Sequence, residues 1–529
     1  MQQNNLLNSL TDNITVDKNK CIYCGKCADT CILDNIRIKL APCRAACPLG
    51  INIQGYVQLI HRGQYDEARA LIEEKLPFAS ILCRICDHPC QSACRRNAVD
   101  GTGVDINGLK RWLFAGRKSK PIAAASPSGR KVAIIGSGPA ALMACFELLQ
   151  SGHAVTVYES SPKPGGLLRS MLPLWKLPES ILDEEIERLE KAGAVFRCSQ
   201  SVSANEREFL KKSFDAVILA TGAGRPKTLA CAKEAEGVLQ AFDLLAGARS
   251  GHAPELGGHA VILGGGRVAL DAAQAALRQG AKNVSVIYRR TADKFHADRA
   301  ELASAKALGI RFAFTWEASS IKNTASGYEI ACRHNMDLLN ESCLDYPDFD
   351  AGEVRLFHAD HVILAVGQEE GRGVEDFFGG RAPSLDPVAL QFEETNVFAA
   401  GDAVSGPSSA VSAMASGREA AESVIRMFSG RDMHYQRTYA GPFLTSFPID
   451  ERRGSSMPPQ QAQGHAFSGA GDYAETNAVF TEEQARAEAS RCLSCGGPEG
   501  HFKTCWFCLP CEVECPKQAI WVNIPYLLK

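Results

Sequence analysis

The stretch from Lys131 to Glu159 constrains the fold more than any other. An apolar run, Lys131-Val132-Ala133-Ile134-Ile135, leads into the turn Gly136-Ser137-Gly138-Pro139-Ala140-Ala141. A helix-like segment from Leu142 to Leu149 follows, and after Ser151-Gly152 a second strand, Ala154 to Tyr158, ends at Glu159. Strand, glycine loop, helix, strand and acid in that order spell a dinucleotide-binding βαβ unit. Gly136 makes the tight turn, and Gly138 leaves room for a pyrophosphate near the positive end of the helix. Ser137, Pro139 and Ala140 complete the loop, Ala141 lets helix and strand pack closely, and Glu159 accepts hydrogen bonds from a ribose. An ordinary βα turn is the alternative, but the flanks and the acid about twenty residues on favour the nucleotide.

A second unit of the same kind follows. The strand Ala260-Val261-Ile262-Leu263 runs into Gly264-Gly265-Gly266-Arg267-Val268-Ala269, a helix from Asp271 to Gln279 and the strand Val284-Ser285-Val286-Ile287. Two adjacent fingerprints in one chain support each other. The second strand ends differently here, in Tyr288-Arg289-Arg290 instead of an acid. Guanidinium groups suit a 2′-phosphate by charge and bidentate geometry, so NADPH is expected ahead of NADH. Solvated arginines without a ligand are the alternative.

The chain has 21 cysteines. Cys145, Cys198, Cys231, Cys332 and Cys343 are scattered, and the other sixteen fall in two terminal groups. A chain of 529 residues does not need disulfides to hold its core, so their spacing reads as metal ligation. Cys21, Cys24, Cys27 and Cys31 form the C-x2-C-x2-C-x3-C run of a [4Fe–4S] ferredoxin, with Ile32 where proline usually follows. The fourth cysteine of such a run often serves a different cluster. Cys43 and Cys47-Pro48 come next, then Cys83, Cys86, Cys90 and Cys94, separated by a helical pattern from Ile53 to Leu76. At the far end, Cys492 and Cys495 precede a fuller signature, Cys505, Cys508, Cys511 and Cys515-Pro516. Structural zinc is the alternative, but a C-x2-C-x2-C triplet is tight for separated zinc knuckles.

At Cys43-Arg44-Ala45-Ala46-Cys47-Pro48, Gly63-Gln64-Tyr65-Asp66-Glu67-Ala68 and the run from Cys86 to Arg95, the chain resembles a known N-terminal domain. It is shared by the glutamate synthase small subunit, the N-terminal part of dihydropyrimidine dehydrogenase and the large subunit of the NADH-dependent ferredoxin:NADP oxidoreductase. The resemblance runs from about Cys43 to Gly430. It implies two [4Fe–4S] clusters followed by an FAD domain and an NADPH domain. It implies that Gly166 and Leu167 lie along the FAD, and that Thr221 and Gly222, with Gly367 as their counterpart, mark the exits from the FAD domain. Asp402 after Gly401 then hydrogen-bonds the ribityl or phosphate region, and the helix near Ala410 aims its N-terminus at the flavin. The chain departs from the family in three places. Asn35 and Ile38 stand where a C-x2-C pair is usual, so Cys21 to Cys31 either replaces that pair or holds a further cluster. Lys110 stands where the family uses a Glu or Gln ligand, a place Cys83 is expected to take. Phe295-His296-Ala297 replaces Met-Pro-Ala.

The expected fold class is α/β. Two Rossmann-like, three-layer ββα dinucleotide-binding domains are expected, the NAD(P)H domain inserted in the FAD domain. A helical iron–sulfur domain precedes them and a ferredoxin-like segment follows. The boundaries read as a ferredoxin-like motif at 1–40, a helical [4Fe–4S] domain at 41–120, FAD-domain halves at 131–224 and 366–430, and the NAD(P)H domain at 225–365. A polar arm at 431–480 leads to a ferredoxin-like segment at 481–529. The formal net charge of −3, without a basic run, argues against nucleic acid or an anionic membrane as partner. The N-terminus lacks the apolar core of a signal peptide and no apolar run approaches the roughly 20 residues of a membrane span, so a cytoplasmic protein is expected. No C-x2-C pair lies in the central domains, which argues against a dithiol route. The expected activity is passage of electrons between NADPH, FAD and three or four [4Fe–4S] clusters, to or from a partner subunit or ferredoxin in a hetero-oligomeric complex, with no acid/base residue. An electron-bifurcating NAD(P)H/ferredoxin oxidoreductase subunit and a non-catalytic zinc-binding adaptor are the two alternatives.

Overall fold

A computed structural model describes residues 13–32, 35–295, 299–334, 353–369, 371–393, 395–437, 441, 443–452, 454–462, 464–500, 505 and 507–524. His296, Ala297 and Cys343 lie outside the described residues. The apolar run Lys131–Ile135 is the middle strand of a parallel sheet in the order Val397–Ala399, Ala216–Leu219, Lys131–Ile135, Ala154–Tyr158, Val195–Arg197. Its central strands are mostly apolar, with Lys131 exposed at one end and Thr156 half-buried, because both faces are covered, as parallel sheets require. The helix Pro139–Gln150 lies against Ala410–Phe428, and the approach depends on Gly417, where a Cβ would sit 2.1 Å from the Ala140 carbonyl oxygen.

The chain leaves this sheet after Ala216–Leu219 and builds a second parallel sheet. Its order is Arg311–Phe314, Asn283–Tyr288, His259–Leu263, His361–Leu364, Leu239–Gln240. It then returns to the first sheet as Val397–Ala399, so one dinucleotide unit is inserted in the other. An antiparallel sheet, Trp316–Thr324, Gly327–His334 and Val354–Ala359, covers one face of the inserted unit, with Ile330 and Cys332 packed on Val261, Leu263 and Val362.

Before these sheets lies a helical region made of Ile53–His61, Tyr65–Glu73, Ala79–Ile85 and Ile106–Phe114. Asn52 caps the first by accepting from the Gly55 amide at 3.2 Å, and Asp105 caps the last from the Gly108 amide at 2.8 Å. A helix from the other end of the chain, Glu482–Ser490, completes this bundle, its Ala485 and Ala489 sharing a core with Tyr56, Leu59 and Leu109. Arg491, fully buried, fastens it: its guanidinium pairs with Glu488 at 2.6 Å and Asp100 at 3.3 Å and donates to the Thr102 carbonyl at 2.7 Å.

The two ends of the chain also pair directly. Ile14–Val16 runs antiparallel to Ile520–Val522, and Ile36–Lys39 lies between Phe443–Leu444 and Gly497–Gly500. The polar arm between Phe428 and the last helix is strapped across the molecule. Thr476 donates its amide to the Trp175 carbonyl at 2.9 Å, Glu475 pairs with Arg84 at 2.8 Å, and the Asp472 carbonyl accepts from Arg278 at 2.6 Å. The Arg278 guanidinium sits 3.9 Å from the centre of the Trp175 ring, a cation–π contact. Among the described residues no helix is long and apolar enough to cross a membrane.

Candidate functional site

The two glycine loops open onto one cleft of about 1900 Å³. Gly136 has φ +99°, and a Cβ on it would meet the Ala220 carbonyl oxygen at 2.3 Å, so only glycine makes this turn. Gly138 is open on its cleft side, and Gly166 lies so close to it that a Cβ would stand 2.8 Å from the Gly138 Cα. Ser137, buried beneath the loop, donates to the Glu159 carboxylate at 2.5 Å and accepts the Gly165 amide at 2.8 Å. That carboxylate also accepts the Ser161 amide at 2.7 Å, which fixes it at the strand end with its edge to the cleft.

Pro139, Ala140, Leu167, Thr221, Gly222, Gly367, Gly401, Asp402 and Ala410 line the same cleft. Among the described residues Thr221 Oγ1 is buried without a hydrogen-bond partner, and a polar atom of a nucleotide in the cleft fits it. Burial pushes the Asp402 carboxyl up, against hydrogen bonds from the amide and hydroxyl of Ser408. The helices beginning at Pro139, Arg267 and Ala410 all present their N-terminal ends here, so partial positive charge gathers at the wall.

In the inserted unit, Gly264, Gly265, Gly266, Arg267 and Val268 face the cleft. The Tyr288 ring lies flat on Gly265, where a Cβ would come within 1.9 Å of it. Arg289 and Arg290 are both exposed at the cleft's rim, and Arg289 reaches Glu317 at 3.7 Å, an exposed pair that leaves its charge available. Sequence reasoning did not single out an ionic group deeper in. Lys176 pairs with Asp271 at 2.6 Å and lies 3.7 Å from Glu301, which meets Arg267 at 3.1 Å. Burial pushes the Asp271 carboxyl up, opposed by Lys176, and Asp271 with Glu301 keeps the Lys176 ammonium raised in spite of its burial. Arg267 also donates to the Asp87 carbonyl at 3.1 Å, and the loop Cys86-Asp87-His88 forms part of the cleft wall.

The cysteines gather in sites that the sequence order does not show. Cys21, Cys24, Cys27 and Cys515 line one cavity, so three come from the N-terminal run and one from the C-terminal run. The converse set surrounds Cys511: Cys505, Cys508 and, from the other end, Cys31. The two halves are built alike. Tyr23 and Phe507 both have φ 56°, and short helices start after left-handed Gly25 and Leu509. The Asn35 amide donates to Cys31 Sγ and the Ala519 amide to Cys515 Sγ, both at 3.2 Å. A third cavity is lined by Cys43, Cys94, Cys492 and Cys495. A fourth group comprises Cys47, Cys86 and Cys90. Cys83 stands apart: its thiol donates to the Ser80 carbonyl at 3.2 Å, and the groups around it are Arg84, Lys110, Arg111 and Glu475.

These sites adjoin one another. The fourth group meets the cleft at Cys86, and Cys43 with Cys47 and Cys90 with Cys94 each divide one turn of chain between the fourth group and the third. Buried Tyr23 lies between Cys492 of the third site and Cys21 of the first. Cys27 faces both Cys515 and Cys511, which joins the first site to the second. Cys24 in the first site and Cys508 in the second are exposed. Burial pushes Cys21, Cys492 and Cys511 up to about 11 and Cys90 and Cys495 up to about 12, and neighbouring thiolates push in the same direction. Such packed thiols ionise together only around a cationic core. Four thiols in each of three sites suit the four corners of an iron–sulfur cube.

Residues 130–417 match the family described as pyridine nucleotide-disulphide oxidoreductase, and residues 3–121 match dihydropyrimidine dehydrogenase domain II, 4Fe-4S cluster. The chain is 31% identical over 510 residues to NADP(+)-dependent formate dehydrogenase subunit beta of Moorella thermoacetica, covering 86% of this chain and 70% of that protein. It is 29% identical over 511 residues to NADPH-Fe(3+) oxidoreductase subunit beta of Geobacter sulfurreducens strain PCA, covering 86% and 75%. NAD-dependent dihydropyrimidine dehydrogenase subunit PreT of Escherichia coli K12 is 31% identical over 440 residues, covering 81% of this chain and 99% of its own.

Proposed function

Because the chain belongs to the pyridine nucleotide-disulphide oxidoreductase family, we propose that it is the subunit that carries electrons between NADPH at one end and a redox partner at the other. The reading rests on one observation. The cleft shared by both glycine loops meets the Cys47, Cys86 and Cys90 group at Cys86, and the adjoining cysteine groups lead from there to exposed Cys508. FAD bound along Gly136 to Glu159 would supply the change from hydride to single-electron chemistry. The chain's own residues position the reactants. Ser137 and Glu159 hold a ribose, Thr221 and Asp402 meet polar atoms of the flavin nucleotide, and three helix N-termini offset pyrophosphate charge. Arg289 and Arg290 receive the 2′-phosphate of the coenzyme. Lys176, Asp271, Glu301 and Arg267 lock the inserted unit to the loop at Asp87, so that the coenzyme and Cys86 face one space.

Four clusters follow from the four groups, with Cys31 and Cys515 exchanged between the two terminal runs. Exposed Ile32, 73% accessible, and Val513, 76% accessible, lie next to these runs and suit an apolar contact with a partner subunit. Anaerobic purification with FAD and iron counted on one sample tests this reading. One FAD and about 16 iron atoms per chain are expected. Zinc, or an iron content of one cluster, contradicts it.

A further inference from the structure

The group nearest the cleft, Cys47, Cys86 and Cys90, has three thiols where the other groups have four. Cys83, the first cysteine of the same run, turns its thiol to the Ser80 carbonyl and has no cysteine among the groups around it. Lys110, from the helix Ile106–Phe114, lies close enough to Cys86 and Cys90 for its charge to act on both. It is only 6% exposed, and among the described residues no carboxylate forms an ion pair with it. An ammonium carried by so little exposed a side chain favours a negative partner nearby. The anionic groups it faces are the sulfurs of Cys83, Cys86 and Cys90. An ammonium has no lone pair for iron. It stands as a counter-charge and not as a ligand.

Resting on the cluster assignment above, we infer that the cleft-side cluster is held by the three thiolates of Cys47, Cys86 and Cys90, with one corner iron bound to no side chain of this chain and Lys110 beside it as the compensating cation. An iron without a protein ligand is the weakest-held of the cube. On mild oxidation the cube loses that iron as a ferrous ion, gives one electron to the oxidant, and leaves a three-iron cluster on the three thiolates. The other three clusters, each with four thiolates, keep their iron.

The test uses the full-length protein, loaded and purified without oxygen. It is treated with stoichiometric ferricyanide, which takes the electron, and EDTA, which takes the iron. About one iron per chain should be released, with one three-iron signal per chain in the electron paramagnetic resonance spectrum. Ferrous iron with a reductant should reverse both. Lys110→Cys, which offers a fourth thiolate, should slow the release at least tenfold. Lys110→Met, Cys83→Ala and Asp87→Asn should leave the three-iron signal in place. The Asp87 variant matters because that carboxylate lies 3.8 Å from Cys86 Sγ. Full clusters that release no iron would overturn the inference, as would a signal abolished by Cys83→Ala or Asp87→Asn. Absence of iron from the protein altogether would instead overturn the cluster reading on which it rests.

Discussion

The dinucleotide cleft and the cysteine sites are built on opposite principles. Each glycine loop is a local device: Gly136, Ser137, Gly138 and Glu159 come from one βαβ unit, and hydrogen bonds within about thirty residues fix their geometry. The cysteine sites are made by bringing distant parts of the chain together. Cys515 completes a ring begun at Cys21, and Cys492 and Cys495 complete one begun at Cys43. Gln54 donates to the Cys495 carbonyl at 3.4 Å across most of the sequence. A local site survives loss of a remote segment, whereas a site made from both ends does not.

Truncation after Gly430 should break this comparison most severely. It removes six cysteines and the strand that pairs with Ile14–Val16, leaving only the Cys47 group whole. Iron should fall from about 16 to about 4 per chain, while FAD binding persists. Retention of more than half the iron would show that the N-terminal cysteines form clusters unaided.

The local site should fail in the reverse pattern. In Gly136→Ala the new Cβ would stand 2.3 Å from a backbone oxygen at a φ that side chains avoid, so the loop must move. Purified variant should lack FAD yet keep its iron. Loss of both together would mean that the two regions fold as one unit.

Arg491→Met probes the seam between the helix Glu482–Ser490 and the N-terminal bundle. It leaves Glu488 buried without its partner, which costs about 3–5 kcal/mol. The thermal midpoint should drop by several degrees, with release of iron preceding release of FAD. Simultaneous release of both would place the seam elsewhere.

Replacing Arg289 and Arg290 by Gln should raise the Michaelis constant for NADPH about a hundredfold and that for NADH little, since each charge-assisted bond contributes about 1.5–3 kcal/mol. Steady-state kinetics with both coenzymes decides it. An equal change for both would assign the arginines to the fold.

Much of the cleft was legible in the sequence because its information is local. Spacing alone located Gly136, Gly138 and Glu159, and the exchange of acid for Arg289 and Arg290 marked the difference between the two units. The Lys176–Asp271–Glu301 group escaped, because its members lie on three elements that meet only when the inserted unit folds back. Likewise the cysteine runs show which thiols are candidate ligands but not how they group, because C-x2-C-x2-C describes a loop and says nothing about the loop it meets. One signal was present. The runs at Cys21 and Cys505 share one spacing, down to the left-handed residues at Tyr23 and Phe507, as two halves of a single two-cluster module would. Cys83 shows the opposite limit, a cysteine in register with its neighbours whose thiol faces away.

The exchange of cysteines between the two ends is tested most directly by single substitutions read in the electron paramagnetic resonance spectrum of the reduced protein. Cys31→Ala should remove the same cluster signal as Cys505→Ala and leave the signal that Cys21→Ala removes. Cys515→Ala should do the converse. If Cys31→Ala instead removes the signal lost in Cys21→Ala, the N-terminal run holds its own cluster and the two ends are separate modules.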